Sequence, residues 1–249
     1  MCIRDRIYQD ILEKFPKNKK AKQGLINLTK FQSAAATQAP PQETTEQLVN
    51  LYNQGELEKV VQQAPVILQK YPNAFVIWNL LGAAAAQTGN LDQSTDAFQK
   101  VILLQPDFAE AYNNIGNVFK NQGKLDSAIE AYRNALTIKP DYHQALNNMG
   151  NALKDQGKLD EAIESYKKTF SLKPDYAEAY SNMGNALQDQ GKLKEATEAY
   201  NKALALKPDY AEAYSNLGTA LQDQGKLNEA VQAYKQAFLI RPNYTEAYS

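Results

Sequence analysis

Glycine and proline recur along this chain in three registers, each with a spacing of 34 residues. The three series are Gly82, Gly116, Gly150, Gly184 and Gly218; Gly89, Gly123, Gly157, Gly191 and Gly225; and Pro106, Pro140, Pro174, Pro208 and Pro242. A fixed period of about 20 to 50 residues is typical of arrays in which each repeat buries its apolar face against its neighbours. The sequence therefore predicts a stacked array.

Each repeat has the apolar pattern of two amphipathic helices. Apolar residues recur at i, i+3, i+4 and i+7 in the first half of a repeat, and a second stripe follows the next glycine. In the repeat that starts at Ala109, the stripes are Tyr112, Ile115, Gly116 and Phe119, then Ala128, Tyr132, Ala135 and Leu136. Because both helices are amphipathic, we expect the two stripes to face each other in a helical hairpin.

The glycine and proline series have different expected roles. A glycine inside a helix costs about 1 kcal/mol relative to alanine, so we expect the first series to permit close packing, with Gly116 against the small Ala128. The second glycine series is expected to end the first helix in a left-handed conformation, and proline to end the second helix. Capping boxes are predicted where each new repeat begins. The predicted pairs are Asp107 with Glu110, Asp175 with Glu178, Asp209 with Glu212, and Asn243 with Glu246.

This pattern resembles the tetratricopeptide repeat family, as in EAYSNLGTALQDQGKLNEAVQAYKQAFLIRP from Glu212 to Pro242. The resemblance implies an all-α fold, a right-handed α-solenoid of stacked antiparallel helical hairpins. The predicted array covers residues 43–249, with a divergent repeat at 41–74 in which Leu48 replaces the first-series glycine. Full repeats follow at 75–108, 109–142, 143–176, 177–210 and 211–244, and residues 245–249 begin another.

The N-terminal segment departs from the array. Residues 1–6 (MCIRDR) resemble the translated end of a transposon used to build sequencing libraries, and we expect them to be an assembly artefact. Residues 7–30 begin in phase with the second helix of a repeat, so we expect truncated repeat-like helices there. Residues 31–42 are rich in alanine and proline, which is typical of a flexible linker.

The balance of charge argues against several classes of partner. The chain has 28 acidic and 27 basic residues, which leaves no electrostatic footprint for nucleic acid or an anionic membrane. No apolar run approaches the roughly 20 residues that span a bilayer, and no secretory signal is evident. With Cys2 as its one cysteine the chain can form no internal disulfide, so we expect a reducing, cytoplasmic location.

Residues that could support catalysis or bind a metal form no cluster with the spacing of a site. His143 is the one histidine, and no set of side chains with ligand spacing accompanies it, so we interpret it as a solvated residue at a helix start. The segment GNALKDQGK at 150–158 has too many residues between its glycines for a phosphate-binding loop. The tyrosines recur at three repeat positions and are assigned to packing rather than to base stacking. We therefore predict no catalysis, cofactor or metal for this chain.

Asparagine recurs at two positions of the first helices, three residues apart and therefore on the same side of the helix. The two columns are Asn114, Asn148, Asn182 and Asn216, and Asn117, Asn151 and Asn185. In a stacked superhelix the first helices line the concave wall, so we expect both columns to face the groove. Asparagine is a mediocre helix former, but its amide can pair with the N–H and C=O of an extended peptide whatever the peptide's side chains. The alternative is that the amides are solvated or bond to neighbouring turns.

The first full repeat lacks these asparagines. It carries Leu80 and Ala83 at the two positions, so we expect the groove to become apolar towards its N-terminal side. No lysine or arginine column accompanies the amides, which argues against clamping of a terminal carboxylate, as in chaperone-binding members of the family.

The asparagine columns, with segments such as AYSNMGNALQDQGKL at 179–193, resemble the substrate-recruiting arm of protein O-linked N-acetylglucosamine transferases and their bacterial relatives. Two functions follow as hypotheses. The first is a non-catalytic scaffold that binds a protein or extended peptide in the groove; the second, implied by the resemblance, is the recruiting arm of a transferase whose catalytic domain lies beyond residue 249. Self-association through an exposed C-terminal repeat is a further expectation.

Overall fold

Residues 39–242, which a computed structural model describes, form twelve α-helices and no strand. The helices are α1 (Gln42–Asn53), α2 (Leu57–Lys70), α3 (Phe75–Gln87), α4 (Leu91–Leu104), α5 (Ala109–Asn121), α6 (Leu125–Ile138), α7 (His143–Asp155), α8 (Leu159–Leu172), α9 (Ala177–Asp189), α10 (Leu193–Leu206), α11 (Ala211–Asp223) and α12 (Leu227–Ile240). The predicted all-α solenoid of helical hairpins is confirmed.

Several predictions concern residues outside this range. They are the artefact at 1–6, the truncated helices at 7–30, most of the linker at 31–42, the capping pair of Asn243 with Glu246, and the further repeat at 245–249. Gln42, the last residue of the predicted linker, is the first residue of α1.

The contacts divide the described residues into two compact bodies, with the division between Val118 and Phe119. In the N-terminal body, α1 packs on α2, α2 on α3 and α3 on α4. In the C-terminal body, the hairpins are α7 with α8, α9 with α10 and α11 with α12, and each packs on the helix that precedes it. Every helix in these series therefore packs on the helix that follows it in the chain.

The first-series glycines of the C-terminal body lie under a tyrosine ring. A Cβ atom at Gly184 would lie 2.5 Å from Cε1 of Tyr200, and one at Gly150 would lie 2.6 Å from Cε1 of Tyr166. Close packing was the expected role of these glycines. The sequence predicts, with Gly116 and Ala128 as its example, that each glycine packs against a small alanine. In the C-terminal body the nearest partner is instead the tyrosine of the second helix.

The N-terminal body shows two versions of the same contact. At Gly82 a Cβ atom would lie 2.9 Å from the ring of Phe98. One repeat earlier, Leu48 stands at the glycine position and Ala64 at the aromatic position, and both are buried in one apolar cluster. The large and small residues have changed places, which conserves the volume between the two helices.

The turn signals are confirmed. The second-series glycines have φ between 74° and 78°, the left-handed region that lets the chain reverse after the first helix. Gly55, in the divergent repeat, has the same conformation with φ 77°. Each second helix from α4 onward ends two residues before its proline, as α4 does before Pro106.

The predicted capping boxes are wrong at α9 and α11. The residues before these helices are Tyr176 and Tyr210, and no side chain caps either helix. The carbonyl of Tyr176 already accepts the backbone N–H of Tyr180 at 3.4 Å. Asp175 therefore lies one residue too early to cap, and Glu178 instead bonds Lys207 Nζ at 3.2 Å. Burial acts to raise the pKa of Glu178. Hydrogen bonds from its own backbone N–H and from Lys207 have the larger combined effect, so the pKa of Glu178 lies below its usual value.

Glutamines that precede the turn glycines join each hairpin to the one before it. Nε2 of Gln156 donates to Asp126 Oδ1 and Nε2 of Gln190 to Asp160 Oδ1, each at 2.8 Å. Nε2 of Gln224 donates to the carbonyl of Leu193, also at 2.8 Å. The bonds run from the end of a first helix to the start of the previous second helix, and they hold successive hairpins in one register.

An alanine at Gly184 tests the glycine–tyrosine contact. The added Cβ must displace the ring of Tyr200, so we expect Gly184→Ala to lower the free energy of unfolding by about 1–3 kcal/mol. Alanine is the better helix former by about 1 kcal/mol, so propensity alone predicts the opposite sign. Urea unfolding followed by circular dichroism measures the change.

A paired variant serves as the control. Gly184→Leu combined with Tyr200→Ala reproduces the Leu48–Ala64 arrangement of the divergent repeat. We expect this pair to be more stable than Gly184→Leu alone. A stabilising effect of Gly184→Ala would show that the ring contact does not limit this position.

Candidate functional site

The exposed side of α7, α9 and α11 forms one continuous surface, which we call the first-helix face. The first helices of successive hairpins contact each other directly here, α7 with α9 and α9 with α11. The second helices α8, α10 and α12 do not contact each other to the same extent. Hairpins that approach most closely on one side have the geometry expected of the concave side of a stack.

All seven predicted asparagines are half-buried. Asn114 and Asn117 lie on α5 in the N-terminal body, and the other five lie on α7, α9 and α11. In the C-terminal body, Asn182 and Asn216 each bond to a neighbouring repeat. Nδ2 of Asn182 donates to Asn147 Oδ1 at 3.2 Å, and Nδ2 of Asn216 donates to Asn185 Oδ1 at 3.0 Å. The alternative interpretation, in which the amides bond to neighbouring turns, therefore holds for one N–H group of Asn182 and one of Asn216.

The second asparagine column also bonds within its own hairpin. The Tyr166 hydroxyl donates to Asn151 Oδ1 at 2.6 Å. The Tyr200 hydroxyl lies 2.7 Å from Asn185 Oδ1 and 3.0 Å from Gln188 Oε1, and donates its proton between these two acceptors. Both rings are fully buried, as the packing interpretation predicts. The hydroxyls nevertheless reach the asparagines of the first helix. Sequence reasoning missed this role because it counted tyrosine as an apolar residue.

The electrostatic setting keeps these hydroxyls protonated. Burial raises the pKa of Tyr166 well above its usual value, and Asp155 and Asp189 raise it further. Burial also raises the pKa of Tyr200, again with a contribution from Asp189. A protonated phenol is a hydrogen-bond donor, so the tyrosines donate and the asparagine oxygens accept.

A second line of polar contacts runs along the C-terminal ends of the first helices. Lys120 Nζ lies 3.5 Å from Asp155 Oδ2, and Gln188 Nε2 donates to Asp223 Oδ2 at 3.1 Å. In the N-terminal body, Gln87 Nε2 bonds the Tyr52 hydroxyl at 2.6 Å at the matching repeat positions. These contacts join the first helix of one repeat to that of the next.

Helix α3 of the N-terminal body differs from α5 at the asparagine positions. Helix α3 carries Leu80 and Ala83 there, and both are half-buried. Leu80 packs against the apolar cluster of this body. The amide columns therefore do not extend to α3.

The remaining candidates for chemistry do not form a reactive cluster. His143 is the first residue of α7, and its half-buried ring meets the ring of Tyr176 edge to face with centroids 5.6 Å apart. It is thus a packing residue and not the fully solvated one that we expected. Among residues 39–242, no group of three or more His, Cys, Asp or Glu side chains is placed to hold a metal ion. Within the same range, no helix is both long and apolar enough to cross a bilayer.

Stacked helical hairpins with a continuous polar face define a repeat scaffold. Residues 82–123, 116–157, 150–191 and 184–225 match the family described as TPR repeat, and residues 211–244 match the description tetratricopeptide repeat. The chain therefore belongs to the tetratricopeptide repeat family. Arrays of this family are generally non-catalytic and bind proteins or peptides, which supports the predicted class of interaction scaffold.

Solved structures with the same fold include three repeat proteins. A MamA structure is 25% identical over 69% of this chain and 95% of its own, with a TM-score of 0.58. PilW, a type IV pilus biogenesis factor, is 17% identical over 82% and 94%, with a TM-score of 0.74. YrrB, described as a TPR protein with an unusual peptide-binding site, is 18% identical over 74% and 95%, with a TM-score of 0.56. Comparison with curated protein sequences gives no match.

Alkaline pH tests the protonation of the buried tyrosines. Their folded-state pKa lies above the unfolded value of about 10, so the folded protein retains protons that the unfolded chain releases. The stabilisation is fully present below about pH 10 and is lost as pH rises beyond it. We expect the free energy of unfolding to fall steeply above about pH 10, and the slope to be smaller in Tyr166→Phe and Tyr200→Phe. Equal slopes in all three proteins, measured by urea unfolding at several pH values, would contradict this assignment.

Proposed function

We propose that the first-helix face of the C-terminal body binds an extended peptide segment of a partner protein through its asparagine side chains. The observation that carries the proposal is the repeat of half-buried amides on α7, α9 and α11, together with the bonding capacity that Asn182 and Asn216 have left over. Such a face captures the peptide backbone and depends little on the peptide's sequence.

The internal hydrogen bonds use only part of the amide groups. Asn182 and Asn216 each donate one N–H to a neighbouring repeat. Within the described residues, Oδ1 of neither side chain accepts a hydrogen bond. A primary amide offers two N–H donors and two acceptor lone pairs, so each side chain can stabilise the stack and still bond a ligand.

An extended peptide supplies the matching groups. Its backbone presents N–H and C=O groups in regular alternation, and these groups are independent of side-chain identity. The half-burial of the amides favours such bonds, because a partly desolvated hydrogen bond competes less with water than one on an open surface. YrrB, which shares the fold, is described as having a peptide-binding site.

Replacing the first asparagine column tests the proposal. We expect the combined variant Asn148→Ala, Asn182→Ala and Asn216→Ala to bind a fluorescein-labelled pool of unstructured 12-residue peptides of mixed sequence about tenfold or more weakly. Each lost hydrogen bond contributes about 0.5–1.5 kcal/mol, and about 1.4 kcal/mol is a factor of ten. Fluorescence anisotropy measures the affinity, and circular dichroism checks that helicity is retained.

The matched control replaces amides on the other helices. Asn134→Ala and Asn201→Ala remove exposed asparagines from the second helices α6 and α10. We expect these variants to bind the pool like the original protein. An unchanged affinity in the triple variant, or an equal loss in the control, would contradict binding at the first-helix face.

A second candidate is the recruiting arm of a glycosyltransferase, favoured by the two asparagine columns. In this arrangement the same face delivers a peptide substrate to a catalytic domain. A nucleotide-sugar-binding α/β domain encoded downstream in the same gene would support it, and further repeats that end in a polar helix would favour the independent scaffold.

A reducing, cytoplasmic location stays a prediction. Self-association through the C-terminal repeat also stays a prediction, and helix α12 offers a surface for it. Helix α12 exposes Leu227, Val231 and Leu239, with exposed fractions of 62%, 48% and 70%. If this surface joins two copies, sedimentation velocity will show a dimer that increases with protein concentration and is lost in Leu239→Lys. A monomer at all concentrations would contradict it.

A further inference from the structure

The tyrosine hydroxyls and the second asparagine column form matched pairs in two hairpins, α7 with α8 and α9 with α10. Asn151 lies on α7 and receives the hydroxyl of Tyr166 from α8; Asn185 lies on α9 and receives that of Tyr200 from α10. The ring of each tyrosine is already held between the helices by the first-series glycine. A rigidly packed ring thus places its hydroxyl at a fixed point beside the asparagine.

Other repeats of the chain show that the hydroxyl accompanies a polar partner. In the repeat at 75–108 the aromatic residue is Phe98, and the residue at the asparagine position is Ala83, which needs no hydroxyl. In the last repeat, Thr219 replaces asparagine and lies 3.2 Å from the Tyr234 hydroxyl, which also donates to Gln222 Oε1. Packing alone explains an aromatic ring at this position, but it does not explain a hydroxyl where a polar partner stands and none where alanine stands.

The bonds determine which groups of Asn185 and Asn216 remain available for a ligand. Oδ1 of Asn185 accepts from both the Tyr200 hydroxyl and Asn216 Nδ2, so both acceptor sites of this oxygen are occupied. The amide nitrogen of Asn185 donates to no group of the described residues. This side chain therefore offers N–H donors to a ligand, whereas Asn216 beside it offers an oxygen.

We propose that Tyr166 and Tyr200 are positioning residues that hold Asn151 and Asn185 with their amide N–H groups directed to the ligand, so that this column binds the carbonyl oxygens of an extended peptide. The proposal rests on the function proposed above and deepens it. The adjacent column, with the free oxygens of Asn182 and Asn216, then accepts the peptide's backbone N–H groups. The face has one line of donors beside one line of acceptors, which matches the two groups of a peptide unit.

The tyrosine hydroxyl is needed because the side-chain amide of asparagine keeps nearly the same shape when it rotates by roughly 180° around its Cβ–Cγ bond. Without a directing bond the oxygen and nitrogen of asparagine can exchange places, and each orientation offers a ligand the opposite group. A hydroxyl that donates to Oδ1 selects one orientation. Removing it leaves the asparagine present but lowers the fraction that is oriented for binding, which weakens affinity in proportion.

A double-mutant cycle on Tyr166 and Asn151 tests the proposal, because among residues 39–242 the Tyr166 hydroxyl donates to Asn151 alone, whereas that of Tyr200 also reaches Gln188. We expect Tyr166→Phe to bind the labelled peptide pool about threefold to tenfold more weakly. In the Asn151→Ala background the same change should have almost no further effect, because no amide remains to be oriented. Phe98 already packs on Gly82 at the equivalent position, so the phenylalanine variant is expected to fold.

Tyr234→Phe is the matched control. It removes the same hydroxyl from a repeat that carries Thr219 in place of asparagine, and we expect peptide affinity to be unchanged. An unchanged affinity in Tyr166→Phe, or an equal loss with and without Asn151, would overturn the positioning role. A loss in Tyr234→Phe as large as that in Tyr166→Phe would also overturn it, because the effect would then not depend on an amide.

A measurement on the protein without peptide separates this proposal from the proposed function. If the Tyr166 hydroxyl donates to Asn151, its proton should exchange slowly with water in an NMR spectrum and should exchange at least about tenfold faster in Asn151→Ala. Slow exchange together with no binding of the peptide pool would refute the proposed function while the orienting bond stands. Fast exchange in the original protein would refute the orienting bond, whatever the peptide affinity.

Discussion

The contact of a tyrosine ring with a helical glycine supports the rest of the C-terminal body. Glycine lacks a Cβ, so the ring of Tyr200 lies where a Cβ at Gly184 would be only 2.5 Å away. The intrinsic cost of glycine in a helix is about 1 kcal/mol, and the close packing of two helices offsets it. The same contact carries the tyrosine hydroxyl through the hairpin to the first-helix face. One residue thereby closes the hairpin and participates in the candidate site.

Polar bonds complete the stacking that apolar packing begins. Gln156 and Gln190 connect the ends of first helices to the preceding second helices, and Asn182 and Asn216 connect neighbouring first helices. Each bond contributes only about 0.5–1.5 kcal/mol, but the repeat supplies one at every interface. Because stability in such arrays is a sum over neighbouring repeats, these bonds specify the register along the whole body. The candidate site is therefore part of the stacking interface.

The asparagines of the candidate site were selected from the sequence, whereas their internal bonding was not. The 34-residue period was sufficient to identify both asparagine columns, because equal positions in equal hairpins share one side of the array. The bonds from Tyr166 and Tyr200 were missed because an apolar stripe does not distinguish tyrosine from phenylalanine. A usable signal was present in Phe98 and Ala83, where the loss of the hydroxyl coincides with the loss of the amide. The capping boxes failed for another reason: Tyr176 and Tyr210 occupy the position that the aspartates would need.

Helix boundaries, turns and family were determined by the sequence, because they depend on residues close together in the chain. A left-handed glycine and a following proline act within one or two residues of their position, and the helical period needs only one face of one helix. The direction of each amide was decided by the tertiary structure. Asn182 and Asn216 bond residues 35 and 31 positions away, in another repeat, and Asn151 and Asn185 bond a tyrosine on the opposite helix of their hairpin. Such partners come within hydrogen-bond distance only after the hairpins have closed and stacked, so no local pattern specifies whether nitrogen or oxygen faces outward.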